Sequence, residues 1–133
     1  MDKDYIMDSY ALIAHFEDEP GGEKTRKILR AAVDGKARLF MSVINLGEVY
    51  YSTAKERGAA KANEILFLID QLPIKIMDAG RDLTIEAAKL KSSHAVSYAD
   101  CFAAALAIRN SAKVVTGDNE FKKFGETVQV EWI

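Results

Sequence analysis

Five short apolar runs, most of them divided from the next by helical periodicity, constrain this chain more than any other feature. They are YIM at 5–7, RLFMS at 38–42, IKIM at 74–77, KVVT at 113–116 and VQV at 128–130. Each is too short for a helix and too apolar for an exposed strand, which is how strands buried on both faces read. Between them lie stretches with apolar residues at three- and four-residue spacing. SYALIAHF follows the first run, and the segment 23–33 carries a stripe of Ile28, Leu29, Ala32 and Val33. A long helix is expected from 43 to about 55, a second over 59–69, and a third from about 79 to 91 with Asp78 as its cap. A strongly apolar helix then opens at Ser97, and a short one covers 120–124. DEPGG at 18–22 and DQLP at 70–73 break the pattern. Strand–helix alternation of this kind specifies a parallel sheet covered on both faces with right-handed crossovers. The expected fold is α/β, a three-layer α/β/α sandwich with a short, mainly parallel central sheet, as one domain over 1–133.

Composition narrows the class. The chain has 133 residues, which suits one domain with a core of its own. The single Cys101 rules out an internal disulfide framework and fits a reducing cytoplasm. No apolar run is long enough to span a membrane, and the acidic opening MDKDYIMDSY does not read as a signal peptide. The net charge of −2 argues against bulk electrostatic binding to nucleic acid. It is compatible with a local basic rim beside an acidic site.

Four carboxylates stand where strand-like runs end or helices begin: Asp8, Glu48, Asp100 and Asp118. Each has an ordinary structural reading. Asp8 suits a helix N-cap, and Ser97 with Asp100 has the spacing of a capping box. Asp118 lies in a T-G-D-N turn signal. Glu48, flanked by apolar residues and preceded by Gly47, is the least well explained by structure alone. Taken together they change meaning. Open α/β sheets bind ligands beyond the carboxyl ends of their strands. Asp8, Glu48 and Asp118 follow such ends. Acids gathered there repel one another unless a cation lies between them, and an all-oxygen set suits Mg²⁺ or Mn²⁺. Such an ion neutralises phosphate charge and lowers the pKa of water, the basis of phosphodiester hydrolysis. Ser9, Asn45 and Thr116 are candidates for contacting substrate or orienting the acids. Lys55, Arg57 and Lys61 are candidates for an RNA rim, through phosphate contacts that position rather than specify.

At these residues the chain resembles the PIN domain family, and in particular its small VapC-type toxins. IMDSYALIAHF carries Asp8 and Ser9, SVINLGEVYY carries Glu48, SYADCFAAALA carries Asp100, and VVTGDNEF carries Thr116 and Asp118. Tyr10 departs from the small residue common beside Ser9, which narrows the expected cleft floor. The resemblance implies a Mg²⁺- or Mn²⁺-dependent endoribonuclease that leaves 3′-hydroxyl and 5′-phosphate ends. It implies the toxin of a type II toxin–antitoxin pair that inhibits translation, usually a homodimer, with a cognate VapB-type antitoxin inserting into the cleft. The alternatives are a non-toxin RNA-processing nuclease, or a module of the same fold that binds RNA or protein without cleaving. A response-regulator receiver would lack the lysine expected after KVVT. A haloacid-dehalogenase-type phosphatase would need a second acid where Tyr10 stands. Dinucleotide binding lacks its glycine-rich turn after the first strand.

Overall fold

The structure is a computed structural model that describes residues 3–133. The first two residues of the expected domain, and of the opening read as lacking a signal peptide, lie outside the described residues. The chain runs β1 (Lys3–Met7), α1 (Ser9–Phe16), α2 (Gly22–Val33), β2 (Ala37–Ser42), α3 (Val43–Arg57) and α4 (Ala59–Asp70). It continues through β3 (Ile74–Met77), α5 (Arg81–Ser93), α6 (Tyr98–Asn110), β4 (Lys113–Thr116), a 3₁₀ segment (Asn119–Thr127) and β5 (Val130–Trp132).

The sheet has the order β3-β2-β1-β4-β5, and every pairing in it is parallel. Alternation along the strands sorts their side chains into two cores. Tyr5, Met7, Leu39, Met41 and Val115 enter one, with Leu12, Leu29, Val49 and Ile65 of α1 to α4. Ile6 and Val114 enter the other, with Leu83 of α5, most of α6, and Phe121 and Phe124 of the 3₁₀ segment. This is a three-layer α/β/α sandwich, with α1–α4 over one face of the sheet and α5, α6 and the 3₁₀ segment over the other. The two crossovers that leave β1 and β2 use the first face, and the crossover from β3 to β4 uses the second. The reversal falls between β1 and β4, a crevice where open parallel sheets place ligands.

α6 shows how sequence sets packing. Every residue from Cys101 to Ala107 is buried, as expected of a helix that is apolar all round. Its alanines have little side chain to hold the neighbouring layers apart. On the other face of the sheet, Gly22 brings α2 close to α1. A β-carbon there would lie 2.6 Å from the carbonyl oxygen of Ala14, so the approach requires glycine.

Two local expectations are corrected. Asp78 does not cap α5. The N-cap is Gly80, with no side-chain hydrogen bond. β5 begins two residues later than the VQV run suggested, because Val128 is taken into the α6-side core with Phe121 and Phe124. Glu131 and Trp132 pair with Val115 and Thr116 instead.

Candidate active site

The carboxyl ends of β1 and β4 open into a cavity of about 620 Å³. Asp8, Glu48, Asp100 and Asp118 all line it, each delivered by a different element. Ser9, Tyr10, Ile13, Pro20 and Ser97 form other parts of the wall. Two further carboxylates, Glu19 and Glu120, complete it. The lining therefore holds six carboxylates and, among the described residues, no lysine, arginine or histidine.

Asp8 is almost wholly buried, at 1% exposure. It does cap α1, accepting from the backbone N–H of Ala11 at 2.9 Å. Burial pushes its carboxyl up to about 8. Hydrogen bonds from the Thr116 hydroxyl and the Ala11 N–H oppose that shift, while the charges of Asp100 and Glu48 add to it. Asp100 sits in the first turn of α6 and is also buried. Its carboxyl is pushed up to about 7, first by burial and then by Asp118 and Glu48. A hydrogen bond with Ser97 works the other way, and Glu120 raises the value further. The Ser97 hydroxyl also accepts the Asp100 N–H at 3.2 Å. The capping bond and the cavity-facing acid thus coexist in both aspartates.

Glu48 and Asp118 are half-buried. Asn45 orients Glu48: its Nδ2 donates to Glu48 Oε1 at 3.4 Å and to the carbonyl of Ala99 at 3.2 Å. Asn45 has no exposed surface. Its Oδ1 accepts from the Ser42 hydroxyl at 2.7 Å, and Ser42 caps α3 through the Asn45 N–H. One buried amide therefore ties together the end of β2, the start of α6 and the Glu48 carboxylate. Thr116 is equally buried. Its hydroxyl accepts the Asp118 N–H at 3.0 Å, besides bonding Asp8. Asp118 in turn accepts the Glu120 N–H at 2.9 Å. Asn45 and Thr116 thus act by holding acids, while Ser9 lies on the cavity wall itself.

Among the described residues, no three His, Cys, Asp or Glu side chains converge closely enough to hold an ion together. The donor set is nonetheless of the kind a hard divalent cation takes: oxygen only, anionic, and mutually repelling at Asp8 and Asp100.

A second hollow of about 400 Å³ adjoins the first, sharing Ile13 and Glu19 with it. It is lined by Glu17, Ser52, Thr53, Glu56 and Arg57 as well. Arg57 pairs there with Glu17 at 2.5 Å. Lys55 is exposed on α3, and Lys61 pairs with Glu64 at 3.4 Å. Neither of them lines either hollow. Sequence reasoning missed Glu19 and Glu120. Glu19 lies in the irregular segment at the Pro-Gly break and Glu120 in the first turn of the 3₁₀ segment, and only the tertiary fold brings them to the cavity.

The sequence model of the PIN domain matches residues 5–127, nearly the whole chain and all four acids. The chain belongs to the PIN domain family. Solved structures with the same PIN fold include VapBC2 from Rickettsia felis bound to a DNA fragment from their promoter. It aligns with a TM-score of 0.77 at 19% identity, over 96% of this chain and 97% of that one. DNA-bound VapBC from Salmonella typhimurium aligns with a TM-score of 0.75 at 20% identity, over 98% of both chains. Mycobacterium tuberculosis VapC20, described as a sarcin-ricin loop cleaving toxin, aligns with a TM-score of 0.74 at 16% identity, over 91% of this chain and 95% of that one. At such identities the likeness is one of fold. No curated protein matches the sequence. No helix among the described residues of this PIN domain is long and apolar enough to cross a membrane.

Proposed function

We propose that this PIN domain is a Mg²⁺- or Mn²⁺-dependent endoribonuclease and the toxin half of a toxin–antitoxin pair. The observation that carries the reading is the cavity at the β1/β4 crevice, with its six carboxylates and, among the described residues, no cationic side chain in its wall to balance them. Asp8, Glu48, Asp100 and Asp118 would hold the ion, directly or through water. When bound, the ion supplies counter-charge for the phosphate and makes an attacking water more acidic.

The rest of the chemistry belongs to the chain. Thr116 and the Ala11 N–H fix Asp8, Ser97 fixes Asp100, and Asn45 aims Glu48. The acids are therefore preorganised by neighbours that are themselves buried or capped. Without counter-charge, Asp8 holds its proton at neutral pH and Asp100 is close to half protonated. Both would have to give up their protons to hold a cation, so affinity for the ion is expected to rise with pH through about 7 and about 8.

Fold relatives support the partner. Two of them are described as VapBC assemblies bound to DNA, and a third, from Klebsiella pneumoniae, as a toxin–antitoxin complex. Tyr51 and Phe67, 61% and 63% exposed on α3 and α4, leave apolar surface for an antitoxin or a second copy.

The test is cleavage of a panel of structured RNAs by the purified protein with Mg²⁺, with Mn²⁺ and with EDTA. Cleavage with either ion, abolished by EDTA and restored by adding the ion back, is expected. Retention of RNA without cleavage under all three conditions would replace the nuclease with a binding module.

A further inference from the structure

Tyr10 provides the only aromatic ring on the wall of the acidic cavity among the described residues. Its position is defined by Gly117. A β-carbon on Gly117 would stand 2.4 Å from Tyr10 Cε1, 2.7 Å from Cζ and 2.9 Å from the hydroxyl oxygen. The ring is therefore seated in the notch that the missing side chain leaves. That notch lies directly before Asp118, and Tyr10 itself follows Asp8 by two residues. Although seated on one side, the residue is 38% exposed.

A ring held in this way is of use to a substrate. The cavity wall offers no cation to a phosphate backbone and repels it everywhere except at a bound ion. Substrate affinity must then come from contacts indifferent to charge. Stacking of a nucleobase on an aromatic face is such a contact, tolerant of sequence and open only to a base not already stacked in a duplex. A tyrosine fixed against a backbone notch also loses little freedom when a base settles on it.

We infer that Tyr10 is a specificity-determining residue, whose ring stacks on an unpaired base beside the scissile phosphate. This rests on the RNA-cleavage reading above. It selects single-stranded or looped RNA over duplex.

The probe is a single-stranded RNA that the wild-type protein cleaves, remade with an uncharged, uncleavable linkage at the cleaved step. A second version lacks the base on one side of that linkage, and a third lacks it on the other. Fluorescence anisotropy in Mg²⁺ then gives Kd for each. Tyr10→Ala is expected to weaken binding of the intact probe roughly 5- to 100-fold. Tyr10→Phe and Tyr10→Trp stay within about threefold of wild type, since both keep a stacking face. With one of the two abasic probes, wild type and Tyr10→Ala bind alike. Gly117→Ala, whose β-carbon takes the seat of the ring, weakens binding in the wild-type background and adds nothing to Tyr10→Ala. Loss that is equal for intact and abasic probes would make Tyr10 a structural residue. No loss at all would remove it from the site. Either result, with wild-type cleavage intact, overturns this inference alone. A wild-type protein that neither binds nor cleaves RNA with Mg²⁺ or Mn²⁺ overturns the reading beneath it.

Discussion

The two adjoining hollows share Ile13 and Glu19 but balance charge in opposite ways. In the smaller one, Arg57 meets Glu17, so the protein supplies a counter-ion to one of its three glutamates. In the larger one, six carboxylates face a common space with no basic side chain, and two of them are pushed up to about 7 and about 8. Repulsion and burial there are paid for in stability unless a cation arrives from outside. The difference separates a region built for the fold from one built for a ligand.

The sharpest way to break the contrast is to remove a charge from the larger hollow. Asp8→Asn or Asp100→Asn should lower ion-dependent cleavage by roughly a thousandfold or more, as loss of a member of a cooperating site does. The same variants should raise the melting temperature of the ion-free protein at high pH. The sign follows from the raised values. Both carboxyls hold protons more tightly in the folded chain than the ordinary value near 4 would give. Their contribution to stability is thus complete below about pH 4 and fades as pH rises through about 7 and about 8. Above pH 8 the ion-free wild type carries the full cost, and Asp8→Asn should melt several degrees higher, roughly 3–8 °C. At pH 4 the two should coincide. Calorimetry with and without Mg²⁺ measures both effects, and a wild-type protein whose stability rises from pH 5 to pH 9 without metal would contradict the assignment.

A smaller effect should follow from Asn45→Ala. The substitution leaves Ser42, Ala99 and Glu48 without the amide that joins them, at a cost of about 1–3 kcal/mol. Affinity for Mg²⁺ should fall roughly 10- to 100-fold, as when other outer partners of metal ligands are lost. Isothermal titration separates that loss from the stability change read by urea unfolding.

The smallest change belongs to the hollow that holds Arg57. Arg57→Gln removes an ion pair whose arginine is 54% exposed, so stability should move by no more than about 1 kcal/mol. Ion affinity should be unchanged within error. A large loss of ion affinity would mean that the two hollows act as one electrostatic unit, which would erase the comparison.

Much of this molecule was legible in the sequence because its strands are buried on both faces. Runs such as KVVT and IKIM are mostly apolar and short, and length and flanking breaks mark them clearly. Asp8, Glu48 and Asp118 were legible through the same logic, since strand ends in a parallel sheet share an edge, whereas Asp100 opens a helix that follows another helix. Less was visible where a residue has two functions. Asp8 read as a cap and is one, and Asp100 read as the partner of a cap that Ser97 supplies; burial of both carboxylates became evident only in the folded structure. Asn45 read as a neighbour of Glu48, but its full burial depends on Ala99, 54 residues away. The basic residues were the least legible. Charge and proximity in sequence singled out Lys55, Arg57 and Lys61 alike, and helical phase leaves only Arg57 in a hollow. Glu19 carries no periodic signal, because an irregular segment takes its direction from what it connects, and Glu120 opens a short helical segment whose docking beside the cavity depends on the tertiary fold.

The central place of β1 carries a consequence for the order in which the molecule is made. β1 leaves the ribosome well before one of its two neighbours, β4, which follows more than a hundred residues later. Until β4 emerges, one edge of β1 is an open template with unpaired backbone groups, the kind of edge that invites misassembly. Thr116 and Asp118 arrive with that late strand and the turn after it. A growing chain can therefore carry Asp8 and Glu48 long before β4 is made and still have no finished crevice, and closing the sheet is the same event that completes the cavity.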